Sequence, residues 1–138
     1  MHPFDFGTIE IRMVWASALL GLVQLVFAVL FSIGARGTGW ALGPRDDSGA
    51  ALSTMGGRVE RAYKNFLETF PIFAALVLVS TALGKHSATT ALGAQLYFYA
   101  RVVFVPVYAF GVPVLRTLVW AVSLVGIVMI LVGIWPGM

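Results

Sequence analysis

The sequence contains no cysteine among its 138 residues. The chain itself therefore supplies no disulfide, thiolate nucleophile or thiolate metal site, although redox compartment stays open. Charge is also scarce. Asp, Glu, Lys and Arg make up 11% of residues, where a soluble domain carries roughly 25%. Hydrophobic residues make up 59%, with a mean hydropathy of +0.92, so water is not the main solvent. His2 and His86 stand alone, in a terminus and a loop, with no second ligand at metal spacing. Neither takes a role, and no metal is expected. "GARGTG" and "GGR" are glycine-rich but follow no strand, which argues against a phosphate loop. The net charge of +3 comes from few groups. It fits a membrane protein with basic loops on one side, and nucleic-acid binding is not implied.

What the sequence does have is long uncharged runs. Met13–Ala35 is 23 residues without a formal charge, and Thr117–Met138 is 22 more. About 20 helical residues cross a bilayer core. The N-terminus is a poor signal peptide, because Asp5 and Glu10 replace a basic leader and the apolar run is too long. We read it as a retained first helix. Backbone groups in lipid must bond internally, which favours helices over an open sheet. The expected architecture is an all-α integral membrane four-helix bundle, left-handed and antiparallel. It forms a single domain over residues 1–138, with helices at about 9–34, 57–84, 88–110 and 115–135. The segment between the first two is rich in Gly and Ser and reads as a loop.

Basic residues predict the orientation. Arg36, Arg45, Arg58, Arg61 and Lys64 lie on one side, against Arg12 and Lys85 on the other. This bias puts loop 34–57 in the cytoplasm and both termini on the opposite side. Arg101 then falls past the middle of the third helix, and Arg116 opens the fourth. Arg36, Arg58, Arg61, Lys64, Arg101 and Arg116, scattered along the chain, therefore gather at one membrane face.

Within "GGRVERAYKNFLETFP", Arg58, Arg61, Asn65 and Glu68 are spaced 3, 4, 3, which is one helical face. Lys64 sits beside it. The helix from Arg58 to Gly84 is about 40 Å long at ~1.5 Å per residue, against ~30 Å of hydrocarbon. Its first turns must lie in the interface, with Asn65 and Glu68 at the mouth of the apolar layer. A carboxylate there is costly and should face protein or a wet cleft. The cations have a plain alternative as snorkelling anchors. Glu68 has one as a partner for Arg61 or Arg101.

The third helix carries Tyr97, Arg101, Phe104 and Tyr108, spaced 4, 3, 4. Such an aromatic stripe serves packing or an interfacial belt more often than a site, but an arginine within it cannot be neutralised. Together with Arg116, the two stripes predict a cationic cleft. It suits a small ligand with carboxylates for the arginines and an amine for Glu68. Pro71 and Pro106 are expected to bend their helices. Gln24 either bonds across a subunit contact or does little.

"RVERAYKNFLETFP" fits Arg-x-x-Arg-Ala-x-x-Asn-x-x-Glu-x-x-Pro at Arg58, Arg61, Ala62, Asn65, Glu68 and Pro71. "ARVVFVPVYAFGVPVLRTLVW" looks like a third helix, short turn and fourth-helix start of the same kind. With these motifs the chain resembles the MAPEG family, the membrane-associated proteins of eicosanoid and glutathione metabolism.

The resemblance implies four-helix subunits in a homotrimer, with glutathione as co-substrate in a cleft between subunits near the cytoplasmic face. It implies that Arg61, Asn65 and Glu68 hold the glutathione backbone, with Arg58 and Lys64 beside them. Arg101 and Tyr108 contribute from the third helix, and Arg36 from the end of the first. Arg116 matches the arginine beside the glutathione sulfur and is the catalytic candidate. A fixed guanidinium favours the thiolate of a thiol whose free pKa is about 8.5. Thr117 offers a hydroxyl or is simply a helix N-terminal residue.

The implied function is a membrane glutathione transferase or peroxidase acting on lipophilic small molecules delivered by membrane lipid. The alternative is a non-catalytic membrane protein that binds glutathione or lipid in the same cleft. Phe104 stands where some eicosanoid-forming members have His or Tyr. The turn at Gly111–Pro113 is one residue shorter than in some synthases.

Overall fold

The computed structural model describes residues 7–135; His2 lies outside them. Five helices follow one another: α1 (Ile9–Arg36), α2 (Thr38–Leu42), α3 (Thr54–Ala82), α4 (Ala88–Phe110) and α5 (Pro113–Gly133). No strand occurs among the described residues. α1, α3, α4 and α5 are each long and apolar enough to cross a membrane.

Local chemistry sets the helix ends. Ser53 caps α3 by accepting from Gly56 N–H at 3.0 Å. Ser87 and Thr90 form a reciprocal capping box at the start of α4. α4 ends at Gly111, whose left-handed φ of +74° suits a residue without Cβ. Pro113 is tolerated as the first residue of α5, where its missing N–H costs nothing. Pro71 and Pro106 both lie inside helices.

The segment between α1 and α3 is more ordered than its Gly, Ser and Pro content suggests. α2 lies within it. Arg36 lies over the Trp40 ring at 4.6 Å and Arg45 at 5.4 Å. The indole N–H donates to Asp47 Oδ1 at 2.7 Å. Arg45 adopts φ +58° while donating twice to Ala41 O.

Contacts between helix ends fix the directions. Thr90 near the start of α4 donates to Glu10 near the start of α1, at 2.6 Å, so α1 and α4 run the same way. Arg58 at the start of α3 reaches Ala109 at the end of α4, so those two are antiparallel. α4 and α5 make the most extensive helix pair and pass closest at Gly93 and Gly126. A Cβ on Gly126 would stand 2.5 Å from Gly93 O. Small residues at such crossings let helix backbones approach in lipid, where hydrophobic drive between helices is weak.

The core is Phe73, Val77, Ala94, Tyr97, Ile127 and Ile130, with Phe73 and Tyr97 stacked at 4.0 Å. Ser17, Gly21 and Gln24 form the buried face of α1. Gly21 abuts Phe66 of α3, where a Cβ would lie 2.6 Å from the ring. Gln24 is buried within the single chain and donates to Leu20 O at 3.5 Å. Its buried Oε1 has no partner within the chain. The rest of α1 presents Leu19, Leu22, Val26 and Leu30 outward, as lipid or a neighbouring chain requires.

Candidate functional site

The start of α3, the end of α4 and the start of α5 meet at one end of the bundle. Asn65, Phe104, Tyr108, Arg116, Thr117 and Trp120 line a recess of about 230 Å³ there. Arg116 stands over the Tyr108 ring at 4.8 Å, and Tyr108 meets Phe104 edge-on at 5.3 Å. The aromatic rings carry a negative face toward the guanidinium, which holds it beside the recess.

Arg101 lies behind this recess, only 1% exposed. Its Nη1 donates to Asn65 Oδ1 at 2.7 Å and its Nη2 to Thr69 Oγ1 at 2.6 Å. Thr69 also pairs with the Tyr97 hydroxyl at 3.2 Å. Asn65 in turn donates to Glu68 Oε2 at 3.2 Å. A buried arginine therefore fixes the asparagine, which presents the glutamate. Bonds to charged groups are the strong ones, so the orientation of Asn65 is well determined.

The remaining candidates occupy distinct places. Glu68 and Arg61 are exposed. The Arg61 guanidinium folds back toward Gly57, where a Cβ would lie 3.3 Å from Nη1. Lys64 pairs with Glu60 at 2.9 Å across one helical turn, an exposed pair worth a few tenths of a kcal/mol at best. Arg36 donates to Ser32 Oγ at 3.1 Å and Ala50 O at 3.2 Å, so it organises the α1–α3 segment. Arg58 donates to Ala109 O at 3.3 Å. Thr117 donates to Pro113 O at 3.2 Å while lining the recess.

Two residues of this site escape sequence reasoning. Thr69 carries no charge and drew no attention, though it lies four residues beyond Asn65 on the same face. Trp120 lies four residues beyond Arg116, and its buried indole N–H has no partner. At the opposite end of the bundle, Glu10 is 2% exposed. It accepts from Thr90, and His86 Nδ1 lies 3.5 Å from its Oε1. His86 thus has a structural neighbour that spacing alone does not reveal. Among the described residues no group of three or more His, Asp or Glu could hold a metal.

A model of the MAPEG family matches residues 13–135. The chain belongs to the MAPEG family. The matched range takes in α1 from its fifth residue onward, α2 to α5 and the whole recess. Membership makes this an integral membrane protein of the kind that serves eicosanoid and glutathione metabolism. No curated protein matches the chain.

Proposed function

We propose that the protein is a membrane glutathione transferase or peroxidase. The observation that carries this reading is the recess with Arg116 on one wall and Asn65 on the other. A strong, permanent cation faces a polar group that is itself held by a buried arginine. Glutathione has parts that suit both walls. Its thiol enters the recess beside Arg116, and its ammonium group meets Glu68. Its carboxylates reach the arginines at the same end, Arg61 first.

Size supports a partial enclosure. Ligand pockets usually measure roughly 300–1,000 Å³, and this recess is about 230 Å³. It takes the thiol end of a tripeptide and leaves the rest along the exposed Arg61 and Glu68 face. A neighbouring subunit in a homotrimer would supply the outer wall, with Arg36 and Lys64 near its edge. The basic end of the bundle faces the cytoplasm on this reading, following the positive-inside bias.

The chemistry follows from charge. The Arg116 guanidinium stabilises the thiolate, which is the nucleophile. The sulfur attacks an electrophilic carbon of a lipophilic substrate that arrives from the bilayer. A new C–S bond forms as the leaving group departs with its electron pair, or as an added carbanion takes a proton from water. With a hydroperoxide the sulfur attacks the terminal oxygen, the O–O bond breaks and an alcohol is released. The resulting glutathione sulfenic acid reacts with a second glutathione to give the disulfide and water. Thr117 lines the same space, and its hydroxyl would donate to a developing oxyanion only by leaving Pro113 O.

Binding is tested by melting the purified protein in detergent with added glutathione. A ligand at about 100 times its Kd stabilises the folded form by about 2.7 kcal/mol. Millimolar glutathione is expected to raise Tm in the wild type and much less in Glu68→Ala. An unchanged Tm in the wild type, or an equal rise in both, would refute the site.

A further inference from the structure

Arg58 opens α3 but spends its side chain on α4. Its Nη1 donates to Ala109 O at 3.3 Å, a carbonyl in the last turn of α4. Such carbonyls have no partner within the helix. The guanidinium also packs against Gly111. A Cβ there would stand 2.5 Å from Arg58 Cζ, 2.6 Å from Nη1 and 2.7 Å from Nη2. Gly111 is thus held twice to glycine, by its φ of +74° and by the arginine against it.

The turn it caps leads straight to the recess. Gly111 N–H donates to Tyr108 O at 3.0 Å, and Val112 N–H donates to Val107 O at 3.2 Å. Arg116 N–H donates to Val112 O at 3.0 Å. The Arg116 side chain then returns to the Tyr108 ring. Only four residues separate Gly111 from the Arg116 backbone, and every one lies in this bonded turn or the first turn of α5. Displacing the turn displaces Arg116.

We infer that Arg58 is a positioning residue: by clamping the α4–α5 turn at Ala109 and Gly111, it sets where Arg116 stands over the recess. The clamp is a property of the fold, and its effect on chemistry rests on the glutathione reading above. It gives Arg58 a role distinct from direct contact with a carboxylate of the ligand. It also gives a physical reason for the short Gly-Val-Pro turn, since a longer one would carry Gly111 away from the guanidinium.

Two variants test this. Arg58→Met keeps the chain length and removes every donor. Gly111→Ala keeps Arg58 but drives a methyl into its guanidinium. Amide hydrogen exchange over residues 111–116 is followed in ligand-free protein in detergent. Glutathione conjugation of a generic hydrophobic electrophile is followed in parallel. In both variants exchange at the turn is expected to accelerate about 10-fold or more. kcat is expected to fall about 10-fold or more, as misplacement by an ångström does. KM for glutathione should stay within about twofold, since binding groups are untouched. Arg58→Lys, which restores one donor to Ala109 O, should recover part of both losses.

Unchanged exchange at 111–116 in Arg58→Met overturns the clamp. So does faster exchange with unchanged kcat, because the turn would then not position Arg116. A rise in KM for glutathione with exchange unchanged would instead make Arg58 a direct ligand contact. If the wild type fails to turn over glutathione, the glutathione reading falls, and the exchange arm alone still decides the clamp.

Discussion

Arg101 donates to Asn65 at 2.7 Å from a position only 1% exposed. The two residues are 36 apart in sequence, on antiparallel helices, yet they form one unit. An ionised group in a membrane interior is costly and persists when its donors are used. Here two of them are used on Asn65 and Thr69, so Arg101 serves the recess from behind.

Arg101→Met is therefore expected to damage the site without emptying the space. Asn65 and Thr69 lose their buried donors. A hydrogen bond to a charged group contributes about 1.5–3 kcal/mol. Tm in detergent should fall, and the glutathione-dependent rise in Tm should shrink as Asn65 loses its orientation. A variant with wild-type Tm and wild-type glutathione response would contradict the relay.

Glu10 makes a contrasting prediction. It is buried at the far end of the bundle against Thr90 and His86. Glu10→Ala removes the acceptor that ties α1 to the start of α4. Stability should fall by about 1–3 kcal/mol, while KM for glutathione stays at the wild-type value. Melting and steady-state kinetics on the same preparation check both halves.

Gly126→Ala probes the α4–α5 crossing. The added methyl would meet Gly93 O at 2.5 Å and Tyr97 N at 2.8 Å, both backbone atoms that cannot swing aside. Overpacking of this kind costs about 1–3 kcal/mol. A lower Tm is expected, and an unchanged Tm would mean that the helices separate freely.

The spacing of charged and apolar residues made much of this legible. Long uncharged runs disclose the first and last spans, Gly and Pro punctuation bounds the middle two, and Arg58, Arg61, Asn65 and Glu68 at 3, 4, 3 do lie on one helix. Spacing gives a face but not the neighbour across from it. The structure divides that face. Arg58 turns to the α4–α5 turn, Asn65 to Arg101, and Arg61 and Glu68 to the outside. Arg36 follows the same rule, since its partners Ala50 and Trp40 depend on how the α1–α3 segment closes. That segment reads as loop because glycine and serine dominate it, while α2 is held by cation–aromatic stacking that no periodicity announces. Thr69 and Trp120 are uncharged, and only the packing of α3, α4 and α5 brings Trp120 to the recess and Thr69 to Arg101 behind it.

The central claim is that Arg116 activates the glutathione thiol in the recess beside Asn65. The most direct measurement is glutathione-dependent conjugation of a hydrophobic electrophile by purified wild type beside Arg116→Ala. Removing one preorganised charge-stabilising group typically costs about 10²–10³ in kcat. We expect a loss of that size in Arg116→Ala, with glutathione still raising its Tm. Equal turnover by the two proteins, or no turnover by the wild type while glutathione binds, would contradict the account.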